Sequence, residues 1–196
     1  FCLPTSSTTM AASAAPAPAQ GTWTLVSGTG TIGNIHNPNT TISGLAVGEN
    51  VFRWSIGNGP CPVNPPNDLV SIFIYDANAP AANAGPDQQI CTPATATILA
   101  GNTPVFPATG QWTVVAGSGT FANPANPATT VSGLGVGVNT FRWTINNGPC
   151  ANPVSQDEVS VTVYNAANPV ANAGPDQDLC TPTLTATLAG SSIIAP

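Results

Sequence analysis

Residues 139–145 read Asn-Thr-Phe-Arg-Trp-Thr-Ile, and this heptapeptide indicates the fold class of the chain. Its apolar residues, Phe141, Trp143 and Ile145, alternate with polar ones. Successive side chains of an extended segment point to opposite faces, so a period of two is typical of a strand with one buried face. The heptapeptide therefore predicts a β-strand that packs these three side chains into a core.

Other segments with strand character surround this one. Residues 158–164, EVSVTVY, repeat the alternation with their valines inward. Strands are also predicted at residues 111–116 and 129–134, with shorter ones at 95–100 and near Val105–Phe106. Because Gly, Asn and Pro separate these runs, the pattern is that of an immunoglobulin-like β-sandwich. We therefore expect an all-β fold that is nearly free of helix.

The predicted strands belong to a unit that recurs along the chain. The heptapeptide ANAGPDQ occupies residues 82–88 and 171–177, an offset of 89 residues. Between residues 21–61 and 110–150, 26 of 41 positions are identical. Self-similarity at a fixed period is the signature of a repeat protein. The chain is therefore interpreted as a window on a longer array, with any signal peptide upstream of it.

The period sets the predicted domain boundaries. We predict a first β-sandwich repeat, incomplete at its N-terminus, over residues 1–79, a complete second repeat over 80–168, and the start of a truncated third repeat over 169–196. Each linker is short and contains a proline but no glycine, which favours a semi-rigid joint. We therefore expect consecutive units to form an extended rod.

The chain carries very little charge. It has two Arg, no Lys, eight acidic residues and one His, for a formal net charge of -6. Neutralising phosphate groups requires clusters of Lys and Arg, so nucleic acid and anionic membrane surfaces are excluded as partners. No apolar run approaches the length of about 18 residues that a membrane span needs.

The cysteines lie at alternating intervals of 59 and 30 residues: Cys2, Cys61, Cys91, Cys150 and Cys180. One scheme joins Cys2 to Cys61 and Cys91 to Cys150 inside each unit, and leaves Cys180 for a partner outside the chain. The other joins Cys61 to Cys91 and Cys150 to Cys180 across unit boundaries. The strand between Cys150 and Cys180 carries the chain roughly 20 Å along the sandwich, whereas a disulfide needs Cα atoms within about 7 Å. We therefore predict the first scheme and an oxidising, extracellular compartment.

No group of residues stands out as catalytic. His36 is the single histidine and has Ala125 as its counterpart, so it cannot belong to a metal triad. Asp87 and Asp176 recur in the ANAGPDQ segments and are interpreted as structural turn residues that accept backbone N–H bonds. Calcium would need more carboxylates than either junction supplies, which are Asp76 and Asp87 at the first and Asp176 and Asp178 at the next. We predict a protein that is not an enzyme and has no cofactor and no metal site.

The two arginines are interpreted as structural. Arg53 and Arg142 each lie inside a Phe-Arg-Trp segment. We expect them to fix strand register by pairing with Asp68 or Asp157 on the adjoining strand, or by stacking over an aromatic ring. A ligand-contacting role on an exposed sheet face is the alternative.

The four tryptophans form two recurrent pairs, Trp23 with Trp54 and Trp112 with Trp143. They could form a platform for carbohydrate. However, Trp54 and Trp143 fall on the same strand face as Phe and Ile, so core packing is the better interpretation.

Several motifs together carry a family resemblance. The ANAGPDQ opening, the cysteine after it, the GTW or GQW strand, the SGL segment and the FRW strand that ends in NGPC resemble the PKD-like, immunoglobulin-like tandem repeats of large surface proteins from Bacteroidota. The resemblance covers the whole chain, with a low-complexity departure at residues 5–20. It implies export across the outer membrane, by the type IX route, and display in adhesins, gliding-associated filaments or other appendages.

The predicted function is that of a structural and adhesive segment of an extracellular rod at the cell surface. Its expected partners are neighbouring repeats of the same chain, identical chains in a filament, and an unidentified surface polysaccharide or other cell-surface ligand. Two alternatives stay open. The neutral, polar surface also suits a subunit of a self-assembling multi-chain appendage, and the tryptophans leave room for an accessory carbohydrate-binding module.

Overall fold

The computed structural model describes residues 1–57, 59, 65–167, 171–182 and 185–192. These residues form thirteen β-strands and no helix, which confirms the predicted all-β fold. Accordingly, the described part of the chain offers no apolar helix of membrane-spanning length.

The first unit contains six strands. They are β1 (Thr8–Thr9), β2 (Gln20–Ser27), β3 (Thr31–Ile32), β4 (Thr41–Ser43), β5 (Gly48–Gly57) and β6 (Asn67–Ile74). Strands β2, β5 and β6 form one antiparallel sheet, and β1, β4 and β3 form a second. Cys2 extends the first sheet through an isolated parallel bridge to Tyr75.

The second unit contains seven strands. They are β7 (Gln88–Cys91), β8 (Ala96–Ile98), β9 (Thr109–Ala116), β10 (Thr120–Phe121), β11 (Thr130–Ser132), β12 (Gly137–Asn146) and β13 (Val154–Tyr164). One sheet has the order β7-β13-β12-β9 and the other β10-β11-β8. Strand β7 runs parallel to β13, whereas the other pairs are antiparallel. Strands β9 to β12 have the bounds of β2 to β5 displaced by 89 residues.

Each unit encloses its own core between its two sheets. Phe141, Trp143 and Ile145 of β12 are at most 3% exposed, as the alternation predicts. The valines of β13 at positions 159, 161 and 163 are at most 1% exposed, which confirms their inward direction. The observed strand β13 begins four residues before the predicted one, and the predicted strand near Val105–Phe106 is a turn.

The tryptophans pair across neighbouring strands. Trp112 and Trp143 are directly opposite in register with ring centroids 5.0 Å apart, and Trp23 and Trp54 repeat that distance. All four rings are buried, and each indole N–H donates to a backbone carbonyl at 3.1–3.2 Å. A Cβ on Gly110 would overlap the ring of Trp143, so the strand must carry glycine there.

In each unit the side chain of a buried asparagine bonds to two loops and one strand. This role is absent from the sequence-based predictions. Asn139 is 2% exposed. Its Oδ1 accepts from the Ser118 N–H at 2.9 Å, and its Nδ2 donates to the carbonyls of Gly135 at 2.9 Å and Val161 at 3.3 Å. Asn50 makes the equivalent bonds in the first unit. The signal was present in the sequence as an Asn that recurs before each Phe-Arg-Trp segment.

Candidate functional site at the junction of the two units

A disulfide joins the two units. Cys2 bonds to Cys150, with Cα atoms 5.2 Å apart and a sequence separation of 148 residues. Cys2 lies beside Tyr75, at the end of the last strand of the first unit, and Cys150 lies in the loop between β12 and β13 of the second. The bond therefore fixes the end of one sandwich to the beginning of the next.

The predicted disulfides Cys2–Cys61 and Cys91–Cys150 are therefore wrong. Cys91 pairs with Tyr164 at the end of β13, whereas Cys150 precedes the start of that strand. The length of β13 places the two cysteines roughly 30 Å apart, far beyond the Cα separation of about 7 Å that a disulfide allows. Cys91 and Cys180 are free and exposed. Cys61 lies outside the described residues.

Side chains around the disulfide complete the contact. Asn147 Nδ2 donates to the backbone carbonyl of Asp76 at 2.7 Å. Gly148 has φ +55° and lies against the ring of Tyr75, where a Cβ would come within 2.5 Å of Cζ. The Asn-Gly-Pro-Cys loop thus needs glycine both for its left-handed backbone and for its approach to the tyrosine.

An aromatic pair contributes a second contact across the junction. Phe106, in a turn of the second unit, meets Phe73 of β6 edge to face, with centroids 6.2 Å apart. Edge-to-face geometry is a favourable arrangement for aromatic rings. The turn that was predicted as a strand therefore positions a contact between units.

The one buried side-chain polar atom without a partner in the described residues lies at this junction. It is Oδ1 of Asn147. Burying an unbonded acceptor disfavours the folded state, and the same side chain offsets part of this cost by donating to Asp76. The junction therefore combines this asparagine with Gly148, the disulfide and the phenylalanine pair.

A cleft of about 910 Å³ lies beside β6 in the first unit. In the second unit an extended segment occupies the equivalent position. There the Ala84 N–H donates to Asp157 Oδ2 at 2.8 Å, and Asp87 Oδ1 accepts from the Ser160 N–H at 2.8 Å. The cleft thus lies where the second unit places the segment that precedes β7.

The aspartates and tryptophans that the sequence analysis interprets as structural have the following positions. Asp87 accepts a backbone N–H as expected, but from β13 rather than from its own turn. Asp176 lies in the described part of the third segment and is exposed. The four tryptophans are 0–6% exposed, so they pack in the cores rather than form an open platform, although Trp23 and Trp54 also line the cleft beside β6.

The arginines differ from the prediction in their partners. Arg142 bonds to Glu158, directly opposite on β13, with Nη2 and Oε1 2.6 Å apart, and not to Asp157. In the first unit the residue opposite Arg53 is Leu69, which has no charge, and Arg53 is exposed. The ion pair is 37% and 44% exposed, so it contributes at most about 1 kcal/mol.

The described ranges contain no cluster of side chains that could bind a metal ion. No three His, Cys, Asp or Glu side chains converge there. His36, the single histidine, directs Nδ1 to the Gly21 carbonyl at 2.9 Å and is exposed. The expected lack of a metal and of catalysis stays a prediction.

Comparisons with known proteins give one longer curated protein and several solved domains. No family model matches the chain. The chain is 31% identical over 167 residues to the mouse dyslexia-associated protein KIAA0319 homolog, covering 79% of this chain and 15% of that protein. The chain thus spans less than one fifth of the curated relative it matches.

Two solved PKD domains are similar to single units of the chain. The PKD domain from the KIAA 1837 protein is 28% identical, with a TM-score of 0.39, and covers 46% of this chain and 91% of that one. The PKD domain (329-428) from human KIAA0319 is 22% identical, with a TM-score of 0.37, and covers 50% and 87%.

Proposed function

We propose that the chain is a structural and adhesive segment of an extracellular bacterial surface protein, in which linked β-sandwiches form a rod. The observation that carries this proposal is the disulfide from Cys2 to Cys150. Disulfides persist in oxidising compartments outside the cytosol, and this one restrains the angle between two units rather than the inside of one. A series of units with restrained angles between them holds a domain at its far end away from the cell surface.

The surface chemistry supports display rather than catalysis. Eight acidic and two basic residues over 196 leave a surface with little charge. The resemblance to PKD-like repeats of Bacteroidota surface proteins supports export by the type IX route, in adhesins or gliding-associated filaments. The contacts across the junction are made by an amide, a glycine, a cystine, the Tyr75 ring and a phenylalanine pair, a set suited to holding two units together.

The proposal is tested by locating the protein on the cells that produce it. An antibody raised against this chain should label filaments on intact, unpermeabilised cells in immunogold electron microscopy. An antibody against a cytosolic enzyme of the same cells provides the control for leakage. Labelling that requires permeabilisation would contradict the proposal. Loss of attachment to a surface on deleting the gene would then separate an adhesive role from a purely structural one.

A further inference from the structure

The far end of the second unit repeats the arrangement that receives the loop at the junction. In the first unit Cys2 lies beside Tyr75, and in the second Cys91 lies beside Tyr164. The residue after each cysteine donates its N–H to the tyrosine carbonyl, at 3.0 Å and 2.9 Å. The third residue after each cysteine donates to the cysteine carbonyl, at 3.1 Å and 3.0 Å. The two cysteines therefore occupy the same local frame.

The linker that follows each tyrosine also begins in the same way. Asp76 Oδ1 accepts from the N–H two residues later at 2.8 Å, and Asn165 Oδ1 does so at 3.0 Å. At the first position the backbone carbonyl of Asp76 binds Asn147. At the second position Cys91 is a free, exposed thiol. The arrangement at Cys2 and Tyr75 thus binds an Asn-Gly-Pro-Cys loop. The equivalent arrangement at Cys91 and Tyr164 binds no such loop in the described residues.

We propose that Cys91, Tyr164 and the Asn165 carbonyl form a docking face for the Asn-Gly-Pro-Cys loop of the unit that follows in the chain, and that Cys91 forms a disulfide with the cysteine of that loop. The occupant is argued from the molecule itself, since the same residue types bind this loop at the preceding junction. Cysteines then pair from each unit to the next and not within units.

The chemistry needs a disulfide oxidant such as oxidised glutathione. The Cys91 thiolate attacks one sulfur of the oxidant, forms a mixed disulfide and releases one glutathione thiolate. The thiolate of the loop cysteine then attacks the Cys91 sulfur and releases the second glutathione thiolate. Two protein thiols are oxidised, and one glutathione disulfide is reduced to two thiols.

Consecutive disulfides of this kind overlap. The observed bond spans 148 residues, whereas the units recur every 89. A second bond that starts at Cys91 therefore begins before the first one closes at Cys150. Each backbone bond between Cys91 and Cys150 then lies inside two disulfide loops. A single cut anywhere in such an array would leave the chain covalently continuous.

The test extends the complete 196-residue chain by a second copy of residues 108–168. Residue 196 corresponds to residue 107 by the 89-residue period, so the added residues complete the third unit. The chain with and without the extension is oxidised in a glutathione buffer, alkylated without denaturant and mapped by mass spectrometry under non-reducing conditions. We expect Cys91 to be alkylated in the original chain, and to be linked to the added copy of Cys150 in the extended one.

Cys180 is the internal control, because its own partner would lie one further unit along. It should stay alkylatable in both chains. A bond between Cys180 and the added cysteine, or a Cys91 that stays alkylatable in the extended chain, would overturn the proposal. In an extended Cys91→Ser variant, which removes an exposed side chain, the added cysteine should become alkylatable while Cys2 remains bonded to Cys150. Protection of the added cysteine in that variant would also contradict it.

A further variant tests recognition of the loop rather than the presence of a thiol. Replacing the added copy of Gly148 by Val places a side chain against Tyr164, so the yield of the Cys91 bond should fall. An unchanged yield would contradict a shaped docking face. The inference requires only oxidising surroundings and does not rest on the proposed attachment role, because antibody labelling of cells and the disulfide map can fail independently.

Discussion

At the scale of single residues, the buried amide of Asn139 joins the loop after β9 to both strands of the main hairpin. We predict that Asn139→Ala lowers the free energy of unfolding by about 2–3 kcal/mol, because it leaves the Ser118 N–H and the Gly135 carbonyl without their partner. Guanidinium unfolding followed by tryptophan fluorescence measures the change. Asn152→Ala, at an exposed position of the same unit, should leave the unfolding midpoint in place. Equal effects of both substitutions would contradict the role of the amide.

The glycine of the junction loop offers a matched pair of substitutions. Gly148 and Gly59 have similar backbone conformations, with φ +55° and +61°, but among the described residues only Gly148 has a close neighbour, the ring of Tyr75. Alanine adds the same backbone strain at both sites, so the difference between them reports the contact alone. We expect Gly148→Ala to raise the fraction of alkylatable Cys2 in a glutathione redox buffer, and Gly59→Ala to leave it unchanged. The opposite order would show that the loop does not rest on Tyr75.

At the scale of strands, the pairing of β9 with β12 depends on Gly110 beneath Trp143. We predict that Gly110→Ala destabilises the second unit by about 1–3 kcal/mol, the usual cost of overpacking a filled core. Gly57→Ala is the control, since the nearest atom of the described residues lies 3.9 Å from the new Cβ and its φ is not positive. Thermal unfolding monitored by near-ultraviolet circular dichroism should separate the two variants. Equal midpoints would mean that the ring moves away without cost.

The linker between the units supplies a direct test of the disulfide. We predict that a protease site inserted between Ala77 and Asn78 can be cut without separating the fragments on a non-reducing denaturing gel. The reason is that the bond from Cys2 to Cys150 spans the cut. Reductant should release two bands. Separation without reductant would indicate bonds inside each unit instead.

How far the sequence predicts these strands depends on the length of their pattern. Strands β12 and β13 are long enough for an alternation of period two to show, and their inward residues were correctly predicted. Strand β7, Gln88–Cys91, has four residues at a sheet edge and pairs in parallel with a strand 73 residues away, so no local pattern reveals it. The residues around Phe106 resemble a short strand in sequence, but they form a turn. The ring of Phe106 packs on Phe73 of the other unit.

The disulfide was mispredicted for a reason that belongs to the whole molecule. Spacing along the chain shows which cysteines recur but not at which end of a sandwich each one lies. Because β12 and β13 are antiparallel, Cys150 lies at the end where β13 begins, and Cys91 at the end where it finishes. Only the stacking of the two units brings Cys150 to Cys2. The same distance argument that rejected pairing across a linker therefore also rejects pairing within a unit.

Force applied to the two chain ends should reveal this connection. The bond from Cys2 to Cys150 prevents the 148 residues that it spans from being stretched. These residues have a contour length of about 520 Å at roughly 3.5 Å per residue. While oxidised, the chain can extend only through the 46 residues from Cys150 to residue 196, a contour of at most about 160 Å. We predict that single-molecule pulling in reductant adds the hidden 520 Å in steps from both units. In oxidised molecules the first unit should give no step, because force bypasses it through the cystine. A step from the first unit without reductant would show that its load is carried by the backbone, and the proposed rod would lose its physical basis.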